Sequence, residues 1–292
     1  MKIVAISKFI AFLSWAVVFA PMFVISGMLP RNARVNVLQL FMATSFRIMG
    51  FRSVKVGEVA AVRPLMIVGN HIGWLELFAL PSVIKVSFFG KAELRSWPVL
   101  GWIIGALGVV FVDRRPSKVR DSIKEVAETM AVMKYPVALF PEGTTTNGAY
   151  VKEFKSSLFN FMEGQLGGEF VEAPTTPRPS GAPLQLGGEF IVSIQPYVQI
   201  WKYKNGQLIS DDDLAQNWAY FDNDKITQGA KAAKPRNIVS AALYMMAQGG
   251  CIVENHFLPV VDLSGVRDRK ELAEKLQGIV SEKYRELRMK IG

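Results

Sequence analysis

From Phe9 to Leu29 the chain is apolar except at Ser14, Pro21, Ser26 and Gly27, and no other stretch constrains the fold as strongly. As one helix, these 21 residues would extend about 31 Å, close to the hydrocarbon thickness of a bilayer. Three assignments compete. A secretory signal peptide has a shorter apolar core and a small-residue cleavage site after it, and neither is evident here. A buried helix of a soluble domain is compatible with the composition. A membrane segment fits best, either spanning or lying in the interface as a helix bent at Pro21, with a second amphipathic helix near 34–49.

Charge supports the membrane assignment. The 292 residues carry 34 Lys and Arg against 25 Asp and Glu, a net charge of +9. Seven of the cations, Lys2, Lys8, Arg31, Arg34, Arg47, Arg52 and Lys55, precede the first acid, Glu58. The rest of the chain holds 27 basic and 25 acidic residues and is nearly balanced. Nucleic-acid binding needs its basic excess on the folded body, so the balance argues against it. Cations flanking an apolar anchor suit anionic headgroups instead, at about 1 kcal/mol each. If the run spans, two cations precede it and five follow, and the positive-inside rule puts the body on the cytoplasmic side. Residues 1–50 are thus expected to anchor the chain in a membrane and 51–292 to form the body.

Beyond residue 52 short apolar runs alternate with helical stretches. Strands are expected at 53–56, 64–69, 86–90, 108–112, 136–140, 192–200 and 256–261, and helices at 74–84, 93–104, 118–133 and 268–289. That alternation predicts an α/β fold, a mostly parallel sheet flanked by helices. Within it, QLGGEF occurs at 165–170 and again at 185–190, and nine of those 26 positions are Gly or Pro. A flexible insertion at about 163–190 is expected, as a plain surface loop or as a lid.

Three polar clusters follow apolar strands, the place where open α/β sheets carry their sites. In Asn70-His71-Ile72-Gly73-Trp74-Leu75-Glu76, a bend at Gly73 would fold His71 back onto Glu76, giving a base and an orienting carboxylate. Phe140-Pro141-Glu142-Gly143-Thr144 supplies a carboxylate, a hydroxyl and glycine-freed amides suited to a polyol or phosphate. Phe111-Val112-Asp113-Arg114-Arg115, with Lys91 at the end of the preceding strand, offers cations for a phosphate. Each cluster alone is equally an ordinary turn or a solvated charge group.

Several chemistries are excluded. One Cys and two His support neither a disulfide framework nor a Cys/His zinc site. No G-x-S-x-G elbow, G-x-G-x-x-G or P-loop occurs, and Cys251 with His256 reads as a buried thiol and a strand histidine.

His71-x-x-x-x-Glu76, FVDRR at 111–115, FPEGT at 140–144 and Gln195-Pro196, in this order and spacing, resemble the four blocks of the glycerolipid acyltransferase family. The resemblance covers roughly 60–200. It implies a membrane-associated O-acyltransferase that moves a fatty acyl group from an acyl-CoA or acyl-carrier-protein thioester to the hydroxyl of a lysophospholipid. No cofactor or metal is implied, because a thioester is already activated. By that resemblance His71 is the base and Glu76 its partner. Arg114, Glu142 and Gly143 would help bind the acceptor headgroup, and Pro196 belongs to the fourth block; Lys91 and Thr144, in the same strand-end clusters, are further candidates for substrate binding. The partners implied are membrane lipids, the lysophospholipid acceptor and the thioester donor, with no nucleic acid. Two departures stand out. The family carries Asp where this chain has Glu76, so the backbone must re-make the histidine–acid geometry. A basic residue usually follows FPEGT, whereas Thr145 follows here, which points away from lysophosphatidic acid and toward zwitterionic or other lysolipids. The alternative reading is a catalytically inactive lipid-binding paralogue.

Overall fold

The computed structural model describes residues 2–91, 96, 109–112, 126, 129–130, 132–166, 185–186, 189–190, 192–214 and 238–289. Two antiparallel helices open the chain. Helix α1 (Lys2–Ser26) continues through Pro21, and α2 (Arg31–Ile48) returns along it. Arg34 closes the turn between them, donating from Nε to the Leu29 carbonyl and from Nη2 to that of Gly27, both at 2.9 Å. The seam is aromatic, with the Phe41 ring 5.2 Å from Phe19 and 4.8 Å from Phe23. Away from that seam and from the body, one side of α1 is bare: Ile3, Val17 and Val18 are 83%, 73% and 71% exposed. A core helix of a soluble domain would bury those side chains. Among the described residues α1 is the one helix long and apolar enough to cross a membrane.

The body is a seven-stranded sheet in the order β1-β9-β8-β2-β5-β3-β4. Its strands are β1 (Arg52–Val56), β2 (Leu65–Gly69), β3 (Ser87–Lys91), β4 (Val110–Val112), β5 (Val137–Leu139), β8 (Ser193–Tyr203) and β9 (Cys251–Phe257). Every neighbouring pair is parallel except β8 and β9. Central β2 is buried throughout because both faces are covered. Met66 and Val68 enter one apolar cluster, Leu65 and Ile67 another. Gly69 is required by packing, since a Cβ there would lie 2.4 Å from Cε1 of the fully buried Tyr197.

The mostly parallel α/β fold is as expected, with local corrections. The helix expected at 74–84 is only α3 (Glu76–Ala79), followed by turns, because Pro81 has no N–H to extend the ladder. The strand expected at 256–261 is β9 instead, which alternates buried and half-buried residues as a strand with one covered face does. Helix α4 (Ile238–Ala247) packs on α1, and α5 (Arg269–Met289) buries Leu272, Leu276, Val280, Tyr284 and Leu287 at helical spacing. Tyr284 also donates its hydroxyl to the Gly148 carbonyl. The stretch expected as helix 93–104, apart from Ser96, lies outside the described residues, as does most of 118–133. Most of the insertion lies outside them too. Its second QLGGEF pairs β6 (Gln185–Leu186) with β7 (Glu189–Phe190) in antiparallel register.

Candidate active site

Strands β2 and β5 are parallel neighbours, so the residues that follow them leave the same edge of the sheet side by side. His71 comes from the first and Phe140–Thr146 from the second. Lys91 ends β3 at the same edge, next to β5. Arg114, beyond β4, lies outside the described residues. Pro196 does not reach that edge. It is buried in β8 opposite Val68, and its carbonyl accepts from the Leu258 amide at 3.0 Å.

His71 and Glu76 meet as the bend at Gly73 predicts, with Nδ1 3.1 Å from Oε2. The helix begins only at Glu76, and the fully buried carboxylate turns back onto the loop before it. Its Oε1 accepts from the amides of Ile72 at 2.6 Å and Gly73 at 2.8 Å, and Oε2 accepts from Gly73 at 3.0 Å. The extra methylene of glutamate is thus taken up by the 72–73 loop. Both Glu76 oxygens already accept from backbone amides, so the contact with the imidazole is satisfied when the ring is the donor. Nδ1–H therefore donates to Oε2, and the lone pair is left on Nε2. The ring is 19% exposed and stacks on Phe140, with centroids 4.5 Å apart.

The main chain of His71 is clamped by the turn after β5. Its amide donates to Glu142 Oε1 at 2.6 Å, and its carbonyl accepts from the Thr146 amide at 2.9 Å. One residue earlier, the Asn70 side chain exchanges hydrogen bonds of 3.0 and 2.8 Å with the backbone of Gln199, continuing the ladder past the end of β2. Asn70, Phe140 and Thr146 were not assigned these parts from sequence. They lie inside the motifs, but their partners are distant in the chain.

Glu142 is fully buried, and its second oxygen accepts from the Lys152 amide at 2.9 Å. Both oxygens are therefore committed to backbone. Burial pushes its carboxyl up to about 8, against the pull of the two amides and with the Glu76 carboxylate adding to the rise. The stability linked to this group is present at and below about pH 4.5 and is lost as pH rises toward about 8. Thermal melts of wild type and Glu142→Gln across that window test this. The stability of wild type relative to the variant is expected to fall with rising pH by a few kcal/mol, on the order expected for such a shift. A constant difference would contradict it.

Gly143 and Thr144 are half-buried on the same turn. At Gly143 φ is +70°, and the exposed side chain of Lys155 lies across it, Nζ being 3.2 Å from where a Cβ would sit. The Lys155 amide donates to the Pro141 carbonyl at 2.9 Å, which fixes this crossing. A cation therefore stands beside the FPEGT turn, although none follows it directly in sequence. Sequence reading missed Lys155 because no motif marks it.

Residues 53–171 match the Acyltransferase family and contain both His71 and the FPEGT turn. The lyso-ornithine lipid O-acyltransferase of Brucella abortus is 39% identical over 114 residues, 39% of this chain and 42% of that protein. A 1-acyl-sn-glycerol-3-phosphate acyltransferase of Neisseria gonorrhoeae is 36% identical over 109 residues, 36% of this chain and 42% of that protein. The match thus spans about two fifths of the length of these relatives. The solved structure of the 1-acyl-sn-glycerophosphate (LPA) acyltransferase from Thermotoga maritima superposes with a TM-score of 0.60 over 98% of both chains. At 16% identity, that likeness is one of fold.

Proposed function

We propose that the acyltransferase-family domain at residues 53–171 makes this chain a membrane-associated lysolipid O-acyltransferase. The observation that carries this reading is the His71–Glu76 pair, with its free Nε2 at the C-terminal edge of β2. In the proposed reaction Nε2 removes the proton of the acceptor hydroxyl as its oxygen attacks the thioester carbonyl. Glu76 stabilises the resulting imidazolium. The tetrahedral adduct collapses with loss of the thiolate, which takes the proton back from Nε2. An ester bond forms, a thioester bond breaks, and His71 returns to its starting state. The donor is an acyl-CoA or an acyl-carrier-protein thioester. Glu142 braces the histidine main chain instead of meeting the headgroup. Helices α1 and α2 hold the site at the membrane, with the body on the cytoplasmic side.

The acceptor carries an anionic group next to Gly143, and Lys155 supplies the cation. The sequence departure at Thr145 is thereby offset from another segment, and lysophosphatidic acid returns as a candidate beside lyso-ornithine lipid. Lys155→Ala is expected to raise KM for the acceptor about tenfold or more with little change in kcat, and Lys155→Arg to retain most of the affinity. A loss confined to kcat would remove Lys155 from acceptor binding. The reading as a whole is tested by supplying acyl-CoA or acyl-carrier protein with a panel of lysophosphatidic acid, lysophosphatidylethanolamine and lyso-ornithine lipid, using His71→Ala as reference. If no acceptor is acylated above that variant, the chain is a lipid-binding paralogue without this activity.

A further inference from the structure

A second basic feature lies away from His71, at the β1 end of the same sheet edge. There the C-terminus of α2, the starts of β1 and β9 and the segment after β8 enclose a cavity of about 670 Å³. Arg47, Arg52 and Lys204 line it, and none of its lining residues is acidic. All three side chains are exposed, and among the described residues none of them makes a hydrogen bond or ion pair. The two lining hydroxyls are engaged, Ser53 donating to the Ala79 carbonyl and Ser82 to that of Phe78, both at 2.7 Å. A fourth cation stands beside the cavity. Lys8 Nζ is 2.6 Å from the position a Cβ on Gly50 would take, and it donates to the Met246 carbonyl at 3.4 Å.

Three unpaired cations around one concavity repel each other, and that cost is relieved when an anion enters. Placement indicates which anion. Arg47 ends α2, and Lys8 lies near the start of α1, so both mark the base of the helical hairpin, whose α1 side exposes an apolar surface. With that surface in a bilayer, the cavity opens at headgroup level. Phe46, Phe51 and Ile252 complete its wall with apolar surface suited to the glycerol end of a lipid. We propose that this pocket binds the phosphate of an anionic phospholipid headgroup and seats the body on the membrane. The proposal rests on the membrane placement of α1 and α2 but not on acyl transfer.

The test measures how the full chain partitions onto phosphatidylcholine vesicles with and without phosphatidylglycerol. The ratio of the two cancels the contribution of hairpin insertion. Arg47→Gln/Arg52→Gln/Lys204→Gln is compared with Arg267→Gln/Lys270→Gln/Arg285→Gln, which removes the same charge from exposed positions elsewhere. Lys204→Gln alone serves as a milder probe, and melts check that each variant folds. The pocket variant is expected to lose about fivefold of the anionic preference per cation removed, and the control variant much less. Equal losses in both triple variants would show that the charge acts diffusely and would overturn the pocket. If wild type binds neither vesicle, the membrane placement fails and the proposal with it. If free CoA binds wild type but not the pocket variant, while the vesicle ratio is unchanged, the pocket serves the acyl donor and the lipid assignment is overturned.

Discussion

Replacing His71 by alanine is expected to lower acyl transfer by about 10²- to 10⁴-fold, the usual contribution of a positioned general base. The loss should fall on kcat, because the ring carries the proton in the transition state, while the proposed acceptor site lies at Gly143 and Lys155. Stability should change by about 1 kcal/mol, since the ring is partly exposed and only its Nδ1 contact and its stacking on Phe140 are removed. The Glu76 carboxylate keeps both backbone amides in the variant, so the loop survives. Thiol release from the acyl donor, measured beside a thermal melt, separates these effects. Activity within tenfold of wild type would assign the proton transfer to another group.

Glu76→Gln should be nearly as damaging, for a reason that only the hydrogen bonds reveal. The amides of Ile72 and Gly73 both need an acceptor, so the new carboxamide must turn its oxygen toward them. Its NH2 group then faces His71 Nδ1, which becomes the acceptor, and the ring hydrogen moves to Nε2. The base is then blocked by its own proton, and kcat is expected to fall about 10³-fold with the fold intact. Glu76→Asp retains the charge but falls short of the loop, and should recover only part of the rate. A Gln variant with wild-type kcat and an unchanged pH profile would mean that Glu76 only shapes the loop.

Much of the body was legible in the sequence because parallel strands covered on both faces must be apolar throughout. PLMIVG at 64–69 is such a run and forms β2, beside the β8 strand that VSIQPYVQI at 192–200 forms. Strand β9 alternates buried and half-buried residues, so the continuous apolar run HFLPVV does not mark its extent. Helix α3 is shorter than its apolar spacing because Pro81, lacking an N–H, interrupts the ladder and leaves only turns beyond it.

Sequence by itself determined the apolar helix, its flanking charges, the α/β alternation and the bend that returns His71 to Glu76. All of these are local, set by periodicity, by net charge or by residues at most five apart. Tertiary structure decided what depends on distant segments meeting. It buried Glu142 between the amides of His71 and Lys152, which commits both its oxygens to backbone. It laid Lys155 over Gly143, and it gathered Arg47, Arg52 and Lys204 around one cavity. Seven charges near the anchor were countable from the start, but an eighth cation, Lys204, joins two of them only because β8 and β9 carry it there. Cations far apart in sequence leave no pattern in the chain, and the field they create together exists only once the sheet has closed.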